Sequence, residues 1–182
     1  MRAIVFLLSV ILLGVSHTVP GAEPVAKGQA VTNEPSVARE QPVTKEQALA
    51  AIAVLETNAA SDAGFEASDK IVKFAQESTA VSIRLAPDTI PWTNAKLLER
   101  EVPVRMLLLA AYIGGNARAQ LKTQKAVDDP YQGWLLALDV YRQIRQKRPN
   151  IVISEVDALV EKQAKGELKQ YAAEIQTKKP KP

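Results

Sequence analysis

The chain has 182 residues, a formal net charge of +3, no cysteine and a single histidine. Without cysteine there is no disulfide bond and no thiolate metal ligand, and because the histidine is His17, the rest of the chain has none for Ser-His-Asp or Cys-His catalysis. The charge is too small to predict a nucleic-acid partner, and the residue types predict no metal, cofactor or catalytic site.

The first 22 residues have the three-part pattern of a secretory signal peptide. Arg2 precedes an apolar run over residues 3–13, and small, turn-forming residues follow as far as Ala22. Cleavage after Ala22 or after Ser16, or retention of the segment as a signal anchor, are the alternatives. The run is too short to span a bilayer as a helix, so no transmembrane helix is expected in the mature chain. Export without cysteine predicts a periplasmic or extracellular location, typical of a bacterium.

Residues 23–43 mix Pro, Gln, Glu and Ala without apolar periodicity, which predicts a disordered tether. A capping box at Thr44 and Gln47 then opens a helical domain that extends to residue 177, followed by a disordered tail over 178–182.

The periodicity of this domain predicts a mostly α fold, an irregular bundle of about five helices with one short strand-like segment. Residues 79–86 alternate apolar and polar side chains, although the chain offers no evident partner strand. Thr93 is expected to cap a short helix that runs through Leu98, and Gly166 is expected to divide the last helix. The longer helices are predicted at about 44–60, 62–77, 103–125, 130–148 and, from Ser154, 154–177.

The start of the 130–148 helix carries two adjacent acids, Asp128 and Asp129. Asp129 precedes Pro130, and Gln132 follows three residues after Asp129, which is the pattern of an N-cap, a proline at N1 and a capping-box glutamine. Both carboxylates also suit the positive end of the helix dipole. We therefore interpret the pair as helix caps rather than as a catalytic or metal site.

A tight turn before Asp129 would make the two flanking helices antiparallel. Reflection of the chain about that turn pairs Trp134 with Leu121 and Tyr141 with Gly114. Large side chains would then face a seam of small residues, and the bare backbone at Gly114 would accommodate the Tyr141 ring.

Two features of the sequence are not explained by helix formation alone and are candidates for binding a partner. One is Trp92, in a loop bracketed by prolines, where a large aromatic serves either as a lid on the core or as an exposed anchor for a partner. The other is the basic end of the 130–148 helix, which has more cations than a helix C-terminus requires. We predict a partner-binding surface made of Trp92, Arg142, Arg145 and Arg148.

The stretch LAAYIGGNARA, residues 109–119, resembles the AYN-A-G element of lytic transglycosylases, which are secreted enzymes that cleave peptidoglycan. That family also carries a Glu-Ser pair at its catalytic acid, and Glu77-Ser78 occurs upstream. The resemblance implies Glu77 as the acid, in an apolar pocket. Ile113 stands where the family has Asn. The main prediction is an exported, non-catalytic protein that binds another protein or an envelope polymer, with the peptidoglycan-cleaving enzyme as its alternative.

Overall fold

The computed structural model describes residues 41–93 and 99–177. The predicted signal peptide, most of the predicted tether, the predicted helix after Thr93 and the predicted tail lie outside these ranges. Within them the fold is mostly α, as predicted. Two short 3₁₀ turns, Pro91–Thr93 and Glu99–Glu101, accompany the helices. The helices are α1 (Lys45–Asn58), α2 (Asp62–Glu77), α3 (Val102–Thr123), α4 (Pro130–Lys147), α5 (Ser154–Ala164) and α6 (Leu168–Thr177).

The helix ends follow the local sequence signals closely. At α1 the Thr44 hydroxyl accepts from the amide of Gln47, whose side chain accepts in return from the Thr44 amide, so the predicted capping box is confirmed. Gly166 separates α5 from α6 with φ +75°, a backbone conformation that glycine adopts without steric cost. Helix α5 begins at Ser154, as expected, with Ile153 as its N-cap residue and no side-chain cap.

Helix α3 is the centre of the bundle. It packs against α1, α2 and α4, and residues on most of its faces are buried. The largest fully buried side chains include Tyr112, which is on α3, and Trp92 and Trp134. Within the described ranges, no helix is both long enough and apolar enough to cross a membrane.

The closest contact between α3 and α4 involves glycines on both helices. A Cβ atom on Gly115 would overlap the carbonyl oxygen of Gln132 and lie 3.1 Å from the Gly133 Cα, and one on Gly133 would lie 2.6 Å from Cδ2 of Tyr112. The expected pairing of Gly114 with Tyr141 is therefore wrong. Gly114 faces the side chains of α1 and α2 instead, because the two long helices meet nearer to the start of α4 than a simple reflection about the turn predicts.

Residues 81–86 form neither a helix nor a strand in the described part of the chain. Their backbone is bonded by side chains. The Ser82 amide donates to Oε1 of Gln120 at 2.8 Å, and the Ser82 carbonyl accepts from Nε2 of the same residue at 2.9 Å. The Arg84 amide donates to Oδ1 of Asp128 at 2.9 Å. The Gln120 side chain thus makes the two backbone hydrogen bonds that a neighbouring strand would make to Ser82. This explains how a strand-like sequence is accommodated in a helical fold.

Candidate functional site

A buried polar network joins α3 to the connection between α3 and α4. Asn116 and Gln120 are almost completely buried on α3. Asn116 donates from Nδ2 to Oδ1 of Asp128 at 2.7 Å, and its own Oδ1 accepts from the Asp129 amide at 3.0 Å and from Nε2 of Gln120 at 2.6 Å. These polar groups are hydrogen-bonded to one another, which offsets the desolvation penalty of burying them. The same bonds fix Asp128 in one position.

The two adjacent acids have different roles. Asp129 caps α4, since its carboxylate accepts from the Gln132 amide at 3.2 Å, so this part of the interpretation is confirmed. The capping-box role expected of Gln132 is taken by Asn116, which accepts the Asp129 amide. Asp128 is not a cap. Its Oδ1 accepts from the Arg84 amide and from Nδ2 of Asn116. Its backbone carbonyl accepts from Nε2 of Gln176 on α6.

Burial raises the pKa of Asp128 above its ordinary value of 3.8, and the nearby Asp129 carboxylate adds to the rise. The hydrogen bonds from Arg84 and Asn116 and the Arg84 charge act in the opposite direction and do not cancel it. Tyr112 is also affected, because its own burial and then the Asp128 charge raise the pKa of its hydroxyl. Hydrogen bonds therefore hold the Asp128 carboxylate in place, while its burial makes the ionised form less stable than it is in water.

We expect Asp128→Asn to keep the fold, because an asparagine Oδ1 can accept from the same two donors. A raised folded-state pKa gives stability that is present below the unfolded-state pKa and lost as the pH rises through the folded-state pKa. The variant should therefore be at least as stable as the wild type at neutral pH. The stability of the wild type relative to the variant should then increase as the solution is acidified. Thermal melts of both proteins from pH 7 to pH 3 measure this difference, and an unchanged difference would contradict the placement of Asp128.

A groove of about 780 Å³ lies beside this network, between the end of α3, the start of α4 and α6. We call it the α3–α6 groove. Its chemistry is mixed, with carboxylates, ammonium groups, amides, a hydroxyl and one tyrosine above a few small apolar side chains. It is lined by Ala119, Gln120, Thr123, Lys125, Val127, Asp128, Asp129, Tyr131, Gln132, Lys169, Ala172, Ala173 and Gln176.

Asp128 lines this groove, and its two carboxylate oxygens are used differently. Its Oδ1 is occupied by two protein donors, whereas Oδ2 accepts no hydrogen bond from the described residues. The Tyr131 side chain packs partly against the core and lines the groove as well, and its hydroxyl makes no hydrogen bond within the described ranges. The site thus combines a fixed acceptor with an aromatic surface.

A second groove, of about 710 Å³, lies between α1 and α2. It is lined by alanine and valine side chains, by glutamines and by charged side chains from α2. None of its lining side chains is aromatic, so it gives less indication of what it would bind.

The structure places Trp92 in the core. Its side chain is 0% exposed and contacts the Tyr112 ring edge-on, with ring centroids 6.3 Å apart. The buried Arg105 donates to the Trp92 carbonyl and pairs with Glu101, which fixes this turn against α3. Of the two roles considered for Trp92, the structure gives the lid on the core. The prediction that Trp92 contacts a partner is corrected, because a fully buried ring has no surface to offer.

The three arginines at the end of α4 are accessible but are not equally available. Arg142 pairs with Asp139 at 2.6 Å, and Arg145 lies 3.7 Å from Asp157 and donates to the Tyr141 hydroxyl. The Tyr141 hydroxyl also accepts from the Ile153 amide, so Arg145 belongs to the α4–α5 contact. Arg148 is exposed and has no acidic partner in the described part of the chain. Much of the apparent surplus of positive charge is therefore neutralised within the fold.

The residues behind the transglycosylase resemblance lie in different environments. Glu77 is the last residue of α2 and is exposed, whereas Tyr112 is completely buried in α3. The apolar pocket that the resemblance implies around Glu77 does not form there.

Sequence reasoning missed Asn116 and Gln120. A signal was present, since Tyr112, Asn116 and Gln120 follow one another at intervals of four and place polar groups on one face of an apolar helix. Such a stripe inside a buried helix indicates a polar network.

No group of three or more acidic, histidine or cysteine side chains suited to a metal ion occurs in residues 41–93 and 99–177. The comparisons with known proteins give no relative from which to take a function: no family model, curated protein or solved structure matches this chain.

Proposed function

We propose that this is an exported, non-catalytic binding protein whose ligand is a polymer of the cell envelope, held in the α3–α6 groove. The observation that carries the proposal is the Asp128 carboxylate: Asp128 lines the groove, its Oδ1 is fixed by two protein donors, and its Oδ2 accepts from no described residue. Such a group binds a ligand at low entropic cost, because the protein has already oriented it.

The shape and polarity of the groove favour a polymer chain over a folded protein. A folded partner needs about 800 Å² of surface on each side and a core of aromatic or aliphatic anchors. The groove is concave and only one of its lining residues is aromatic. Most of the other lining residues carry polar groups, while most of the surface that the lining exposes is apolar. A single extended chain can enter a concave site and exchange hydrogen bonds with such side chains.

Export is supported by the sequence pattern of the first 22 residues. A protein delivered to the envelope meets its polymers directly. The non-catalytic role is supported by the structural use of the acids near the groove, because Asp129 caps α4 and Asp128 ties α3 to the 81–86 segment.

Co-sedimentation with purified, insoluble bacterial peptidoglycan tests the proposal. We expect the wild-type protein to enter the pellet in a saturable way. Tyr131→Ala removes the aromatic surface and Lys169→Glu reverses a charge that lines the groove, so each should lower the bound fraction severalfold.

Arg148→Glu is the matched control, since it changes an exposed charge at the far end of α4. It should bind as the wild type does. Loss of binding in Arg148→Glu, with binding retained by the groove variants, would assign the function to the basic end of α4 and contradict the groove. No sedimentation of the wild type at any protein concentration would remove the envelope polymer as ligand.

A further inference from the structure

We infer that the α3–α6 groove recognises a neutral, hydroxyl-rich glycan, with sugar hydroxyls donating to Asp128 Oδ2 and a sugar ring lying against Tyr131. This inference rests on the proposed function and names its ligand class. It follows from the charge balance of the groove, from its hydrogen-bonding groups and from the position of its one aromatic ring.

The charges that line the groove cancel. Two carboxylates, Asp128 and Asp129, are matched by two ammonium groups, Lys125 and Lys169. A cationic chain would be attracted by the acids and repelled by the lysines, and an anionic chain would meet the reverse. Neither therefore has a net electrostatic advantage, and a neutral ligand meets no like-charge contact.

The hydrogen-bonding groups in the groove are of both kinds. Carboxylates accept, lysines donate, and the amides of Gln132 and Gln176 do both. A hydroxyl is the ligand group that suits such a mixture, because each one donates once and accepts twice. Donation to an ionised carboxylate is stronger than donation to a neutral oxygen, so the Asp128 carboxylate is a stronger acceptor for a ligand hydroxyl than the amide oxygens of Gln132 and Gln176.

Tyr131 supplies an apolar surface beside these groups. Its side chain is only partly buried, packs against the core and lines the groove. A pyranose ring has an apolar face of C–H groups and a rim of hydroxyls, so one sugar can contact an aromatic ring and reach a carboxylate at the same time. The Tyr131 hydroxyl, which has no partner among the described residues, is a further hydrogen-bonding group for the ligand.

The experiment is a titration of the ¹⁵N-labelled protein with three soluble oligomers at one ionic strength, followed by NMR. The probes are an N-acetylglucosamine tetramer, tetralysine and tetraglutamate. We expect the neutral tetramer to shift the amide signals of Tyr131, Gln132 and Gln176, with either charged peptide at least tenfold weaker. A charged peptide that binds as tightly as the tetramer, or more tightly, would overturn the inference.

Asp128→Asn isolates the carboxylate, since it replaces the acceptor at Oδ2 while its remaining oxygen can keep the protein contacts. We expect about a tenfold loss of affinity for the tetramer, with a melting temperature at neutral pH no lower than that of the wild type. The matched control is Asp139→Asn, an exposed acid on α4 away from the groove, which should bind as the wild type does. Equal affinity in Asp128→Asn and the wild type would contradict the inferred contact.

The inference and the proposed function fail in different ways. If peptidoglycan sediments the protein but the neutral tetramer does not bind, the polymer-binding role stands and the glycan contact is wrong. If neither binds, both are wrong.

Discussion

Gly115→Ala is expected to lower the free energy of unfolding by about 3 kcal/mol, at the upper end of the usual cost of overpacking a core. The added Cβ would overlap the Gln132 carbonyl oxygen, which is part of the α4 backbone and cannot turn aside as a side chain can. The two helices would have to separate along their closest contact. A drop in melting temperature on the order of 10 °C should follow, measured by circular dichroism.

The adjacent glycine is the control for this change. A Cβ on Gly114 would lie 3.1 Å from Cγ1 of Ile52 and 3.5 Å from the Ile71 side chain, both of which can shift. Alanine also favours the helix by about 1 kcal/mol relative to glycine, so Gly114→Ala should remain within about 1 kcal/mol of the wild type. Equal destabilisation by the two substitutions, or wild-type melting of Gly115→Ala, would contradict the glycine contact between α3 and α4.

Gln120→Met is expected to cost about 1–3 kcal/mol, although the side chain keeps its length. The glutamine amide bonds both backbone groups of Ser82 and donates to Asn116. Methionine would leave the two Ser82 groups without this partner and would remove one of the two donors to Oδ1 of Asn116, which keeps the Asp129 amide. Each buried polar group left unpaired costs about 1–3 kcal/mol, reduced where water reaches it.

Native-state hydrogen exchange distinguishes this effect from a general loss of stability. The Ser82 amide should exchange much faster in Gln120→Met, while amides in the middle of α1 and α4 retain slow exchange relative to the new global stability. Gln146→Met, at an exposed position of α4, is the control and should leave both measurements unchanged. Protection of Ser82 equal to that in the wild type would show that Gln120 does not hold the 81–86 segment.

Local signals in the sequence predicted the helical architecture well. The cap at Thr44, the proline after Asp129 and the glycine at 166 act within one or two turns of their own positions, so their effects can be read without tertiary contacts. Periodicity located the helices for the same reason, because each one turns a stripe of apolar residues toward the core.

The register between α3 and α4 could not be predicted from the sequence. Reflection about the turn assumes that the helices separate at a constant angle from the connection. In the structure the closest approach is set instead by glycines on both helices, Gly115 and Gly133, together with Tyr112. Which small residues meet depends on crossing angle and on the other neighbours of α3, and neither is encoded within a single helix.

The candidate site was only half predictable. Pro130 identifies Asp129 as the N-cap of α4 in the sequence alone. Asp128 looks like a second capping residue in the sequence, but in the fold it accepts a hydrogen bond from the Arg84 amide instead. Its partners, Arg84 and Asn116, come from distant parts of the chain. Trp92 shows the reverse case, because a proline-bracketed aromatic suits both an exposed loop and a core lid, and only its 0% exposure separates them.

The side-chain carboxyl carbon of Asp128, observed by ¹³C NMR in the free protein and with the N-acetylglucosamine tetramer, tests the site most directly. In the free protein the pKa of this group should lie above 3.8 because of burial. Ligand hydroxyls that donate to Oδ2 favour the ionised form, so saturation with the tetramer should shift the carbon signal and lower this pKa. A titration curve for Asp128 that is identical with and without saturating ligand would contradict its role in the α3–α6 groove.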